Sequence, residues 1–159
     1  MEIEPDIHVP RLRKALGEAG LRFTEQRKII WELFAAHPKG LTIAEAIAEL
    51  KGAGIGQATV YRTVRELRQL GFLQWIHEET GEHRFVACTK DHCHHMVCRR
   101  CGNVAAFDCR GVAMLEDLVS LQTGFSIEGH FLEFYGVCPE CRLEREKPAN
   151  SEEAPPDRS

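Results

Sequence analysis

Residues 88 to 101 read CTKDHCHHMVCRRC and hold four cysteines and three histidines. Thiolates and imidazoles at this density are the chemistry of metal binding, and one four-coordinate zinc takes only four such ligands. The stretch is therefore oversupplied for a single site. Two pairs sort themselves by spacing. Cys98-x-x-Cys101 and Cys138-x-x-Cys141 are C-x-x-C knuckles separated by 36 residues. Each knuckle offers two thiolates from a tight turn, and together they complete a closed, tetrahedral structural Zn²⁺ site. A thioredoxin-like redox motif would need a βαβ pattern around the first knuckle, and none is present.

Cys88, His92, Cys93, His94, His95, Cys109 and His130 remain. If residues 92 to 98 are extended, side chains alternate, so His92 and His94 point one way and Cys93 and His95 the other. Two sites on opposite faces follow. His130 is placed to join His92 and His94, and Cys88 to join Cys93 and His95. The plain alternative is a polar edge of free histidines with Cys109 as a buried thiol.

An enzymatic reading of the remaining groups fails on spacing. His77-Glu78 opens a zinc-protease signature whose second histidine comes two places too late, at His83. His77-x-Glu79 fits the start of a zinc deaminase motif, but Pro139 lies inside the second knuckle and the first knuckle would be left without a partner.

The elements that must position these ligands are legible from periodicity. Helical spacing marks segments ending near Gly20, near His37-Pro38 and near Gly52, the second beginning after Thr24 and the third at a Thr42/Glu45 capping box. GQATVYRTVRELRQLG, residues 56 to 71, buries Val60, Val64, Leu67 and Leu70 on one face and presents Tyr61, Arg62, Arg65 and Arg68 on the other. Arginines at this spacing suit phosphates and guanine edges when a helix enters a major groove, although a solvated amphipathic helix has the same pattern. GFLQWIHEETGEHRFVAC then alternates about Glu79-Thr80-Gly81, as a hairpin does. Helices followed by a hairpin are the order of a winged helix-turn-helix. Beyond Cys88, short β-like runs at 94–98, 104–107 and 125–137 surround one helix, Val112 to Gln122. The tail EKPANSEEAPPDRS has the composition of a disordered segment.

The expected architecture is α+β. A winged helix-turn-helix domain spans residues 1–87, a small α/β domain stapled by the four-cysteine zinc spans 88–145, and a tail spans 146–159. The net charge of −4 divides unevenly: residues 1–87 carry 12 Lys+Arg against 12 Asp+Glu, and residues 88–159 carry 8 against 12. Any DNA-binding surface must then be local. No apolar run approaches the roughly 20 residues that cross a bilayer, and MEIEPDIHVPR lacks the apolar segment of a signal peptide. A cytoplasmic protein with reduced thiols and no membrane partner is expected.

From about Leu12 to Arg142, the segments GLRFTEQRKII, GQATVYRTV, the His-rich strand before CRRCG and the closing CPEC resemble the ferric uptake regulator superfamily of metal-dependent repressors. The resemblance implies a C-terminal dimerisation domain, a homodimer and a palindromic double-stranded DNA operator. It implies DNA contacts from Arg22, Arg27, Tyr61 and Arg62, with Thr59 and Arg65 on the same recognition helix. It also implies a second metal site at His92, His94 and His130, where the family's carboxylate position is Ala113. At the regulatory site the chain departs from iron and peroxide sensors, which usually have an acid at Val86, a histidine at Cys93 and an acid at Ala106. Thiolates in place of oxygen and imidazole favour zinc over iron(II), and FVAC at 85–88 is similar to the zinc uptake regulator branch. The expected sensor ligands are Cys88, Cys93 and His95, with a fourth from His77, His83, Asp91 or Cys109. An iron(II)-responsive or a peroxide- or thiol-responsive repressor of the same fold is the alternative, and a zinc-stabilised protein interaction module the remote one.

Overall fold

A computed structural model describes residues 9–77, 83–88, 93–107 and 111–146. The tail beyond Glu146 and the hairpin tip lie outside the described residues, as do Asp91, His92 and Cys109. The chain begins with α1 (Val9–Glu18), α2 (Glu25–Ala36), α3 (Ile43–Leu50) and α4 (Gln57–Gln69). An antiparallel hairpin follows, β1 (Leu73–His77) with β2 (His83–Ala87). A second sheet of β3 (His94–Cys98), β4 (Val104–Phe107) and β5 (Glu133–Gly136) has the order β4-β3-β5. Its β3–β4 pairing is antiparallel and its β3–β5 pairing parallel. The crossover to β5 contains α5 (Val112–Thr123), and α6 (Pro139–Glu146) closes the described chain.

The helix starts follow local chemistry. Thr24 caps α2 by accepting from the Arg27 amide, and Thr42 and Glu45 form the expected capping box at α3, with bonds of 3.1 and 2.7 Å. The stop of α3 differs from expectation. Gly52 sits inside a 3₁₀ turn, Lys51–Ala53, and the left-handed residue that ends the element is Gly54. The β-like run at 125–137 is regular strand only over β5. The helix α6, built on the second knuckle, was not legible from periodicity.

One apolar core joins α1 to α4 and the hairpin. Leu12, Leu16, Ile30, Trp31, Phe34, Val60, Val64, Leu67 and Phe72 are all almost fully buried, and Trp31 packs edge-on against Phe72 at 5.4 Å. Leu41 adds a single bridge to Phe85, which ties the α2–α3 turn to β2. Arg84 reinforces this tie by donating to the Gly40 carbonyl at 2.7 Å and to Glu45 at 2.6 Å. The second sheet has little apolar interior. Apart from Val112, the buried side chains described from residue 88 onward are Cys88, Cys93, His94, His95, Cys98 and Cys141. Among the described residues no helix is long and apolar enough to cross a membrane.

Gly40 is where the helices and hairpin meet most closely. It has φ +76°, and a Cβ there would lie 2.8 Å from both the Phe85 carbonyl oxygen and Val86 Cγ1. Gly40→Ala should destabilise the protein by about 2 kcal/mol through strain and steric displacement. Gly52→Ala, with nothing within 4 Å, should be near neutral. Equal urea midpoints for the two variants would contradict this account of the junction.

Candidate metal centres and nucleic-acid face

The two knuckles converge. Cys98, Cys101, Cys138 and Cys141 present sulfurs that all lie within 4.8 Å of one another. A tetrahedral S₄ zinc with bonds of about 2.3 Å has sulfur–sulfur edges of about 3.8 Å, and Cys101 Sγ to Cys138 Sγ measures 3.7 Å. The turns contribute electrostatics as well as shape. Backbone N–H groups of Cys138, first, and Cys101 pull the Cys98 thiol down to about 6. The neighbouring thiols of Cys138 and Cys101 push Cys141 up, because a further negative charge in the cluster is unfavourable without a cation. The set fits zinc and leaves no protein position open. It joins the end of β3 to the start of α6 in a sheet with almost no other core, as a structural metal does.

A second cluster lies at the junction between hairpin and second sheet. Cys88 follows β2, and its amide donates to the Phe72 carbonyl at 2.7 Å. Its ligand atom groups with those of Cys93 and His95 within 4.8 Å, and all three residues are buried. Cys93 Sγ and His95 Nε2 are 3.9 Å apart, close to the roughly 3.6 Å edge of a tetrahedral zinc holding one sulfur and one imidazole. The sulfurs of Cys88 and Cys93 lie side by side, with Cα atoms 6.1 Å apart. Burial pushes His95 down to about 4, the neighbouring His94 adds to the shift and the Glu133 charge opposes it. At neutral pH the ring is thus the uncharged base that a metal requires.

Two of the residues expected to complete this set are directed elsewhere. The His77 ring faces Glu133 at 3.2 Å, and His83 packs on Trp75 with centroids 4.4 Å apart. Neither joins the cluster. Asp91 and Cys109 lie outside the described residues.

The opposite face of β3 carries the third group. His94 is buried, and its Nε2 is 2.9 Å from His130 Nε2. His92 lies outside the described residues. A residue missed by sequence reasoning supports His130: Glu116 Oε1 is 2.6 Å from its Nδ1. The signal was available. Position 116 is one helical turn beyond Ala113 and shares its face, so α5 supplies a carboxylate although the expected position has none.

The recognition-helix expectations meet two different environments. Tyr61, Arg62 and Arg65 are exposed on α4, Thr59 is half-buried at its first turn, and Arg22 is exposed before α2. With Ile43 and Phe85, Tyr61, Arg62 and Arg65 line a shallow hollow of about 550 Å³. Arg27 is a correction. Its guanidinium makes a two-pronged ion pair with Glu66 of α4 at 2.9 and 3.0 Å, with both side chains mostly buried. It locks α2 to α4, so its guanidinium is engaged by Glu66 within the domain. Arg68 likewise covers the Trp75 ring at 4.9 Å, which couples α4 to the hairpin.

The sequence model of the ferric uptake regulator family matches residues 18–135. The ferric uptake regulation protein of Neisseria meningitidis serogroup A is 35% identical over 130 residues, covering 80% of this chain and 90% of its own. The peroxide operon regulator of Bacillus subtilis is 37% identical over 131 residues, covering 80% and 89%. The zinc uptake regulation protein of Mycobacterium tuberculosis is 34% identical over 129 residues, covering 80% and 99%. A zinc uptake regulator solved with zinc and DNA superposes with a TM-score of 0.74, over 90% of this chain and 98% of that one, at 21% identity, and shares the fold. With knuckles, helix and hairpin in this order, the chain belongs to the ferric uptake regulator family, whose members are metal-responsive transcriptional regulators and not enzymes.

Proposed function

We propose that this protein is a zinc-responsive repressor of metal-homeostasis genes, acting in the cytoplasm as a homodimer on a palindromic operator. The observation that carries the reading is the buried trio Cys88, Cys93 and His95, two thiolates and one neutral imidazole at the junction between two folded units. Such a donor set is softer than carboxylate and imidazole alone, and so prefers zinc to iron(II) or manganese. The domain boundary falls between Ala87 and Cys88, within reach of this site. When bound, zinc supplies cross-linking rather than reaction chemistry: Cys88 belongs to the hairpin side and Cys93 and His95 to the second sheet. Holding all three restricts the hairpin and α4 to one pose, which raises the DNA-competent fraction of the ensemble.

Two further features support the reading. Leu115, Leu118 and Val119 on α5 and Phe134 on β5 leave apolar side chains exposed in the single chain, as a homodimer interface requires. A related fold has been solved with both zinc and DNA. His94 and His130, with Glu116 and the expected His92, form the second metal site, and Arg22, Thr59, Tyr61, Arg62 and Arg65 form the operator-reading surface.

The adjacency of the Cys88 and Cys93 sulfurs favours one other reading, a thiol-redox-responsive repressor. Two thiols and one hydrogen peroxide give the disulfide and two waters, which withdraws two of three ligands from the metal. Peroxide treatment of zinc-loaded protein separates the two. A redox sensor releases zinc and DNA together at low peroxide, whereas a zinc sensor with protected thiols keeps both.

Operator fragments selected from a random DNA pool in the presence of zinc provide the main assay. Once the regulatory site is emptied by a mild chelator, DNA binding should fall and return on adding zinc. Cys93→Ser should raise the zinc needed by roughly 100-fold. Restoration by iron(II) that Cys93→Ser leaves intact would instead identify an iron sensor. Arg62→Ala, made in the zinc-saturated protein, should weaken operator binding by about 1–3 kcal/mol, some 5- to 150-fold, with the zinc content and urea midpoint unchanged.

A further inference from the structure

The junction contains a carboxylate that neither metal site uses. Glu133 opens β5, where it stands opposite His95 in the parallel ladder with β3. Its side chain crosses to the hairpin. Both of its oxygens accept from the His77 backbone N–H, at 3.2 and 3.4 Å, and Oε2 also lies 3.2 Å from the His77 ring. The Glu133 side chain is only 17% exposed, whereas the His77 ring it meets is 56% exposed, so the contact sits at the rim of the junction.

A cavity of about 310 Å³ lies beside this contact, and His95, Glu133, His77 and Trp75 all line it. The sensor ligand and the hairpin therefore face one shared space. From His77 the contacts continue toward DNA. His77, His83 and Trp75 form a ring cluster with centroids 4.4 to 5.5 Å apart. Arg68 of the recognition helix lies over the Trp75 ring. On the second sheet, Arg99 covers Tyr135, which flanks Glu133 in the same cavity.

We propose that Glu133 is a positioning residue that clasps His77 across the junction and transmits the state of the Cys88, Cys93 and His95 site to the hairpin and recognition helix. The proposal rests on the zinc-responsive reading. It adds a mechanism to it: the metal fixes β3, β5 moves with β3 through their shared ladder, and Glu133 carries that position to His77. A metal ligand at Cys88 alone would hold the base of the hairpin. The clasp holds its other end, at the last residue of β1, and the two attachments together set its direction.

The experiment measures operator affinity with the regulatory site saturated with zinc and with it emptied, in the full-length dimer, for wild type, Glu133→Gln, His77→Asn and the double variant. The ratio of the two affinities is the coupling between metal and DNA. Glu133→Gln should reduce that ratio by about tenfold, with two-thirds or more of the regulatory zinc still bound at saturation and an unchanged urea midpoint. His77→Asn, which leaves the second sheet untouched, should reduce it in the same direction. The double variant should lose no more than the worse single variant, because both weaken the same Glu133–His77 contact, His77→Asn removing its ring bond and keeping its backbone N–H. A wild-type ratio in Glu133→Gln, or additive losses in the double variant, would overturn the clasp while leaving the zinc reading intact. Loss of regulatory zinc from Glu133→Gln at saturating metal would also overturn it, since Glu133 would then be holding the site itself. Equal operator binding by wild type with and without zinc would overturn the zinc reading and the coupling role with it.

Discussion

The second half of this protein depends on replacing an apolar core with metal ligands. Its three-stranded sheet is too small to bury much hydrocarbon, and the interior positions that a larger sheet would give to valine or leucine hold cysteine and histidine instead. A cluster of thiols is a poor core by itself. Crowded sulfurs resist ionisation together, as the opposite displacements of Cys98 and Cys141 record. A divalent cation reverses that balance, because each thiolate then faces a positive charge at bonding distance. Zinc held by the four cysteines would thus contribute directly to the folding of this half.

The first half rests on ordinary hydrophobic burial, and this difference divides the labour between the halves. Trp31, Phe34, Val60, Leu67 and Phe72 hold the recognition helix without help from any metal. A metal can therefore be gained or lost at the junction without melting the surface that reads DNA. On the proposed reading, what changes is orientation. Cys88 leaves the hairpin directly into the metal cluster, Lys39 reaches the Cys101 carbonyl at 3.0 Å, and Glu133 meets His77. These are few and polar contacts, of the kind that permit rotation when the cross-link is absent.

Much of the candidate site was legible before any coordinates. The knuckle spacing selects one set of four ligands, and strand parity assigns Cys93 and His95 to the face away from His94, as β3 shows. The amphipathic pattern of residues 57–69 distinguishes Val60, Val64 and Leu67, which are buried, from Tyr61, Arg62 and Arg65, which are exposed. These properties are local: they depend on side-chain periodicity and on hydrogen bonds within a few residues. The 3₁₀ turn that follows α3 and ends at Gly54 shows the limit even of local reasoning, since it carried the chain two residues past the first available glycine.

By itself the sequence determined which residues are chemically equipped to bind metal and DNA, and on which face of each element they stand, because those follow from residue type and a period of 2 or 3.6. Only the tertiary structure decided which of them are free to act. Arg27 has the charge for a phosphate, but Glu66, 39 residues away, takes its guanidinium. His77 and His83 have the chemistry of ligands, but Glu133 and Trp75 draw them away from the thiols. Glu116 and Glu133 gain their roles from partners 14 and 56 residues distant. Pairing over such separations is set by how helices and strands pack, and no periodicity within an element encodes it.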